Sequence, residues 1–205
     1  MKTFIIVALL VEVSLVGTPQ SRQREKPTRA TAPLTRDEIE IYRLVLREYT
    51  ADDKNAATTL NLSNTTFPLD SSSSMSGMSD DGCLKDIHLD NIAAASRSFH
   101  NLPAEVLADK RVRLVDPKPQ TKVVRANDPD KTMQEGKSVD TAVEDAFRTA
   151  LFSVSEIAFD KDHRYAVVSY RFWCGSLCGN GSTWVFQKFG SEWKKTDRNC
   201  GGWIS

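Results

Sequence analysis

The chain has 205 residues, with 27 Lys plus Arg balanced by 27 Asp plus Glu. That is about one domain's worth of material, and its neutral balance provides no global field toward nucleic acid or an anionic membrane. With only 3 histidines and 4 cysteines, metal or nucleophile chemistry is confined to few positions.

At the N-terminus, Met1 and Lys2 precede an apolar run from Phe4 to Val16, interrupted by Glu12 and followed by Gly17 and Pro19. This is the layout of a secretory signal, shorter than the roughly 20 apolar residues of a spanning helix. Residues 1–18 are therefore expected to be a signal peptide, leaving a periplasmic or secreted protein with no stable membrane span once it is removed. Residues 19–34 are polar and punctuated by prolines, too poor in apolar surface to offset the entropy of ordering, and read as a disordered linker. Residues 35–205 then form a single α+β domain.

Thr35 and Glu38 have the spacing of a capping box, and Tyr42, Val45, Leu46 and Tyr49 recur at helical spacing, so an amphipathic helix is expected to about residue 50. Residues 57–66 are rich in β-branched side chains and read as a strand; residues 68–82 read as a long serine-rich loop. Residues 88–99 read as helix through Ile92, Ala95 and Phe99. Pro103 opens a short amphipathic piece through Val106 and Leu107. Val112 to Val115 is a strand ended by Asp116-Pro117, and residues 117–137 read as a second polar loop. Asp140 to Phe152 is the second clear helix, its apolar face built from Val143, Ala146, Phe147, Ala150 and Leu151. The period then shifts to 2. Ser155, Ile157 and Phe159 share one face, a turn falls at Asp160 to His163, and Ala166, Val168, Tyr170 and Phe172 share the face of the next strand. Further strands are expected at residues 183–189, after a cysteine-glycine loop, and at residues 193–197. The fold class is α+β, with an N-terminal amphipathic helix and further helices packed on a C-terminal antiparallel β-meander.

Cysteines stand at 83, 174, 178 and 200. In an oxidising compartment they are expected to form disulfides, with Cys174–Cys178 and Cys83–Cys200 the favoured pairing. The sharper alternative is a zinc-binding domain using Cys174 and Cys178, although structural zinc sites usually draw on two local pairs and here the other cysteines are isolated. His88, His100 and His163 have no nucleophile motif beside them, and Asp160, Asp162 and His163 read as a solvated turn. Gly175, Gly179 and Gly181 precede a strand and are not a phosphate loop. Trp173, Trp184, Trp193 and Trp203 could stack on a sugar or a base, but without a basic groove beside them they are read first as sheet packing. Three Asn-x-Ser/Thr matches, at Asn61, Asn64 and Asn180, are of a kind common by chance.

Several of these motifs recur together in one block: Ser155-x-Ile157-x-Phe159, Ala166-Val-Val168, Cys174-Gly-x-Leu-Cys178-Gly-x-Gly181, Trp184-Val-Phe186, Trp193-Lys194 and Trp203-Ile-Ser205. In this order and spacing the block resembles a family of uncharacterised exported bacterial proteins, over roughly residues 139–205. It departs from that family between Val143 and Leu151, where relatives carry a tryptophan and a Tyr-Pro pair. The resemblance implies a fold and a compartment and no reaction. The functional expectation is a non-catalytic exported domain binding a protein or cell-envelope component, with no catalytic residues, no resident metal, no cofactor and no nucleic-acid partner. The alternatives are a small secreted hydrolase with dispersed catalytic residues and the zinc-binding domain.

Overall fold

The computed structural model describes residues 26–51, 59–69, 82–107 and 110–205. The expected signal peptide, the first part of the linker and most of the serine-rich loop lie outside the described residues. Thr28–Arg29 (β1), within the stretch read as linker, pairs in parallel with Ser98–Phe99 (β3). The ladder is joined by Thr28 N donating to Arg97 O and Ala30 N to Phe99 O, both at 2.8 Å.

Helix α1 (Arg36–Ala51) begins at the predicted capping box. Thr35 N and Oγ1 donate to Glu38 Oε2 at 2.6 and 2.7 Å, and Glu38 N donates back to Thr35 Oγ1 at 3.3 Å, so orphan amides of the first turn are satisfied locally. Its apolar stripe of Ile41, Tyr42, Val45 and Leu46 is fully buried, each side chain worth about 1.5–3 kcal/mol of apolar burial. The stripe lies on the sheet.

That sheet has seven strands among the described residues, in the order β4-β2-β5-β7-β8-β9, with β6 also pairing β7. The strands are β2 (Leu60–Ser63), β4 (Val112–Val115), β5 (Leu151–Val154), β6 (Ala158–Phe159), β7 (Tyr165–Gly175), β8 (Cys178–Phe189) and β9 (Glu192–Ile204). The expected meander is present from β5 to β9, all antiparallel. It is not the whole sheet: β2 runs parallel to both β4 and β5, and parallel neighbours require long crossover connections. The first of these includes α2 (Ile92–Ala95), β3 and the 3₁₀ turn Ala104–Val106; the second consists of α3 (Pro117–Ala126), α4 (Pro129–Gln134) and α5 (Val139–Thr149).

Several expectations are corrected. Residues 117–137, read as a loop, are mostly the helices α3 and α4. Each opens on an Asp-Pro pair: Asp116 accepts from Lys118 N, Asp128 accepts from Asp130 N, and the proline sits in the first turn, where its missing N–H costs nothing. The helix expected to reach Phe152 stops at Thr149. Leu151 and Phe152 belong to β5, and the face turned to the interior is Ala142 and Ala146, with Val143 41% and Phe147 42% exposed. The stretch 88–99 is helical only over Ile92–Ala95, and the strand expected over 57–66 covers Leu60–Ser63. The glycines after Cys178 lie inside β8 instead of in a loop before it.

The main core joins α1 to one face of the sheet through Leu62, Phe152, Val154, Val168, Phe172, Phe186 and Trp193. Val167 and Val185 point to the other face, where they pack with Ile87 and Cys200. The disulfide Cys83–Cys200 holds residues 82–89 over that second face, and Cys174–Cys178 closes the β7–β8 turn. Their Cα separations of 5.1 and 5.0 Å lie within the range a disulfide spans. No cysteine is free, so Cys174 and Cys178 are not available as the thiolates that the zinc alternative requires. Among the described residues, no helix is long and apolar enough to cross a membrane.

Candidate functional site: an aromatic groove

Leu46 is the last buried residue of α1, yet the helix continues for more than a turn to Ala51. That last stretch carries Glu48 and Tyr49 over the end of the sheet, where β7 presents Tyr170 and Phe172 on one face by strand alternation. Phe147 of α5 projects from the other side, and Trp184 of β8 continues the row. Between them runs a groove of about 970 Å³, lined as well by the Cys174–Cys178 turn and by Trp203 and Ile204 of β9.

The rings form a connected series. Tyr49 lies 4.5 Å from Phe152 and 5.2 Å from Tyr170, Tyr170 lies 4.8 Å from Trp184, and Phe147 lies 5.4 Å from Phe172, centroid to centroid. These are ordinary aromatic packing distances. Yet Tyr49, Tyr170 and Trp184 are only half buried, and Phe147 and Trp203 are each 42% exposed. Lys195 Nζ caps the Trp184 ring at 4.0 Å from its centroid.

Trp203 accounts for the glycines of β8. A Cβ at Gly181 would stand 2.5 Å from Trp203 Nε1 and 2.8 Å from Tyr170 O, and one at Gly179 would stand 2.8 Å from Phe172 O and 3.2 Å from the Trp203 ring. The indole lies on bare backbone, which only glycine permits. Gly175 is required for a different approach, since a Cβ there would meet Pro129 Cδ at 2.6 Å. That contact brings the stapled turn against the start of α4, where Asp128 Oδ2 accepts from both Ser176 N and Ser176 Oγ at 2.6 Å. Burial pushes the Asp128 carboxyl up, but hydrogen bonds from the Ser176 side chain and amide and from the Lys131 and Asp130 amides outweigh it and hold its pKa below the usual 3.8.

The polar groups of the groove divide into used and unused. Asn61 is committed: its Nδ2 donates to Ala150 O at 2.8 Å and Arg148 O at 3.2 Å, and its Oδ1 accepts from Arg113 Nε at 2.7 Å. Glu48 and Asn180 are half buried, and among the described residues neither side chain has a hydrogen-bond or ion-pair partner. Among the described residues, no Lys, Arg or His lines the groove.

The histidines lie elsewhere. His88 and His163 are exposed, the latter stacked on Phe159 at 4.7 Å in the β6–β7 turn. In that turn Asp160 Oδ1 accepts from the Arg164 and Tyr165 amides at 2.6 and 2.7 Å, the backbone role read from the sequence. His100 is part of an arrangement the sequence reading missed. Its Nδ1 lies 2.7 Å from Glu156 Oε2, its amide donates to Glu156 Oε1 at 2.9 Å and to Thr66 Oγ1 at 2.7 Å, and the Thr66 hydroxyl donates to the same carboxylate. Ser98 Oγ adds a longer bond at 3.5 Å. Glu156 is buried where the edge pairing with β7 breaks between β5 and β6, and its amide donates to Phe67 O at 2.7 Å. The cluster therefore ties three chain segments together. A glutamate inside the apolar stretch Ser155 to Phe159 was its one visible signal. Of the sequence's stacking candidates, Trp184 and Trp203 line the groove, Trp193 is core, and Trp173 lies outside it beside Asp128 and Ser176. Comparison with protein-family models, with curated proteins and with solved structures finds no match to this chain.

Proposed function

We propose that this protein is a non-catalytic exported domain that binds an envelope component, and that the aromatic groove is where it does so. The observation carrying this reading is the lining itself: among the described residues, half-exposed rings with the unpaired polar side chains of Glu48 and Asn180 beside them and no histidine. A large concave surface of mostly apolar character with a few polar groups is the usual form of a ligand site. Export agrees with two disulfides and no free thiol, the pattern of an oxidising compartment, and with the N-terminal sequence; together these support a periplasmic or secreted location. The resemblance to exported bacterial proteins points the same way.

The hydrolase reading has one candidate dyad, His100 with Glu156. That carboxylate accepts bonds from the Thr66 and Ser98 hydroxyls and the His100 amide besides the ring, the pattern of a structural tie, and the pair does not line the groove.

The test is binding of the neutral solvatochromic dye Nile red to the folded domain. The expected result is a blue-shifted emission whose dissociation constant weakens at least tenfold in Phe147→Ala and Trp203→Ala, with circular dichroism showing both variants folded at the assay temperature. Dye binding unaffected by either substitution would reject the groove. Ester hydrolysis of p-nitrophenyl acetate abolished by His100→Ala would favour the hydrolase instead.

A further inference from the structure

On the reading of the groove as a ligand site, we infer that its ligand is a neutral oligosaccharide, stacked on the aromatic rings and hydrogen-bonded by Glu48 and Asn180. The charge of the lining excludes the anionic classes first. Phosphates, fatty acids and acidic sugars need a cation or a cluster of amide donors to replace lost water, whereas among the described residues the one charged side chain that lines the groove is the carboxylate of Glu48.

The unpaired polar groups separate the remaining classes. A purely apolar ligand would strip water from Glu48 and Asn180 and return no hydrogen bond, an unfavourable exchange for groups half buried and without partners among the described residues. An organic cation would answer Glu48 and could use the rings through cation–π attraction. However, a quaternary cation returns no hydrogen bond to Asn180, whose amide also lines the groove. A neutral sugar meets all three conditions. Its C–H faces pack on the rings, its hydroxyls donate to the Glu48 carboxylate, and the Asn180 amide both donates and accepts. The size agrees as well: about 970 Å³ lies at the upper end of the roughly 300–1,000 Å³ typical of ligand pockets, room for several sugar rings instead of one.

The experiment is isothermal titration calorimetry of the intact domain with neutral hexasaccharides of β-1,4-glucose, α-1,4-glucose and β-1,4-N-acetylglucosamine, with tetraethylammonium as the cationic probe and Nile red binding followed in parallel. One hexasaccharide is expected to bind with a dissociation constant below millimolar. The affinity should fall at least tenfold in Trp203→Ala and in Phe147→Ala and at least threefold in Glu48→Gln, which keeps the shape but weakens the acceptor. Absence of saccharide heat with Nile red still bound in a Trp203-dependent way would overturn the sugar assignment and leave the groove reading standing; loss of both would overturn both. Tighter binding of tetraethylammonium than of any saccharide, or saccharide affinity unchanged by Trp203→Ala and Phe147→Ala, would also refute the inference.

Discussion

The two disulfides close loops of very different length, and this makes their contributions to stability separable. Cys83–Cys200 spans 117 residues and Cys174–Cys178 spans 4. In the chain-entropy model, removing the long bridge frees the unfolded chain by about 4.9 kcal/mol and removing the short one by about 1.9 kcal/mol, a gap of about 3 kcal/mol. The native-state context does not reverse the order. After Cys83→Ala/Cys200→Ala, Arg198 still donates from Nη1 to Lys85 O at 2.7 Å and to Cys83 O at 3.2 Å, so residues 82–89 keep a polar attachment to β9 and the loss falls mainly on the unfolded ensemble. Cys174→Ala/Cys178→Ala leaves the turn held by Asp128 through Ser176. Urea unfolding at neutral pH, monitored by far-ultraviolet circular dichroism, should place the long-bridge variant about 3 kcal/mol below the short-bridge variant. For a domain of this size that gap corresponds to about 6–12 °C in thermal midpoint. The urea dependence should also steepen for the long-bridge variant, because its unfolded chain expands further. Equal destabilisation by the two pairs, or a larger loss from the short one, would refute the reasoning.

Three further outcomes follow from the geometry. Gly181→Ala places a methyl group 2.5 Å from Trp203 Nε1 and 2.8 Å from Tyr170 O, so it should destabilise the fold by about 1–3 kcal/mol, as overpacking does, and alter the tryptophan emission; an unchanged spectrum would mean the indole does not rest on this strand. Asp128 has a folded pKa below its unfolded 3.8, set against burial by its bonds from Ser176, Lys131 and Asp130; its stabilisation is therefore complete above the unfolded value and lost as pH falls through the folded one. Stability measured from pH 5 downward should decline less in Asp128→Asn than in the parent, and parallel curves would discount the clamp. Burial first, then the charges of Glu156 and Glu38, push the Tyr42 hydroxyl well above 10, while that hydroxyl donates to Ser155 O at 3.0 Å. Above pH 10 the unfolded chain ionises and the folded one does not, so stability should fall with rising pH in a component that Tyr42→Phe removes; at neutral pH the same substitution should cost about 0.5–1.5 kcal/mol for the lost hydrogen bond.

Local signals in the chain were sufficient wherever neighbouring residues decide the outcome. The Thr35–Glu38 capping box, the helical stripe of α1, the Asp160 turn and the alternation of β7 all act within a few residues, and each appears where the pattern places it. The disulfide pairing was legible for a related reason, since a three-residue gap can hold a bridge and leaves the other two cysteines to each other. The Asp-Pro pairs at 116 and 128 carried a helix-start signal as strong as their turn signal, and only the packing of Val124 and Thr132 into the interior decides for helix. What no window of sequence contains is the choice of neighbours. Leu60 to Ser63 lies between Val112 to Val115 and Leu151 to Phe152 because two helical crossovers return the chain to the same sheet. Period-2 patterning states which face a strand buries and not beside which strand it does so. The groove is a consequence of that assembly. Tyr49, Phe147, Tyr170, Trp184 and Trp203 each look like core residues in their own segment, and they stay half exposed because α1 and α5 pass beside this end of the sheet without covering it. Glu156 makes the same point from the polar side. A buried carboxylate is tolerable only where donors converge on it, and Thr66 and His100 converge there from 90 and 56 residues away, a distance over which only the folded chain brings residues together.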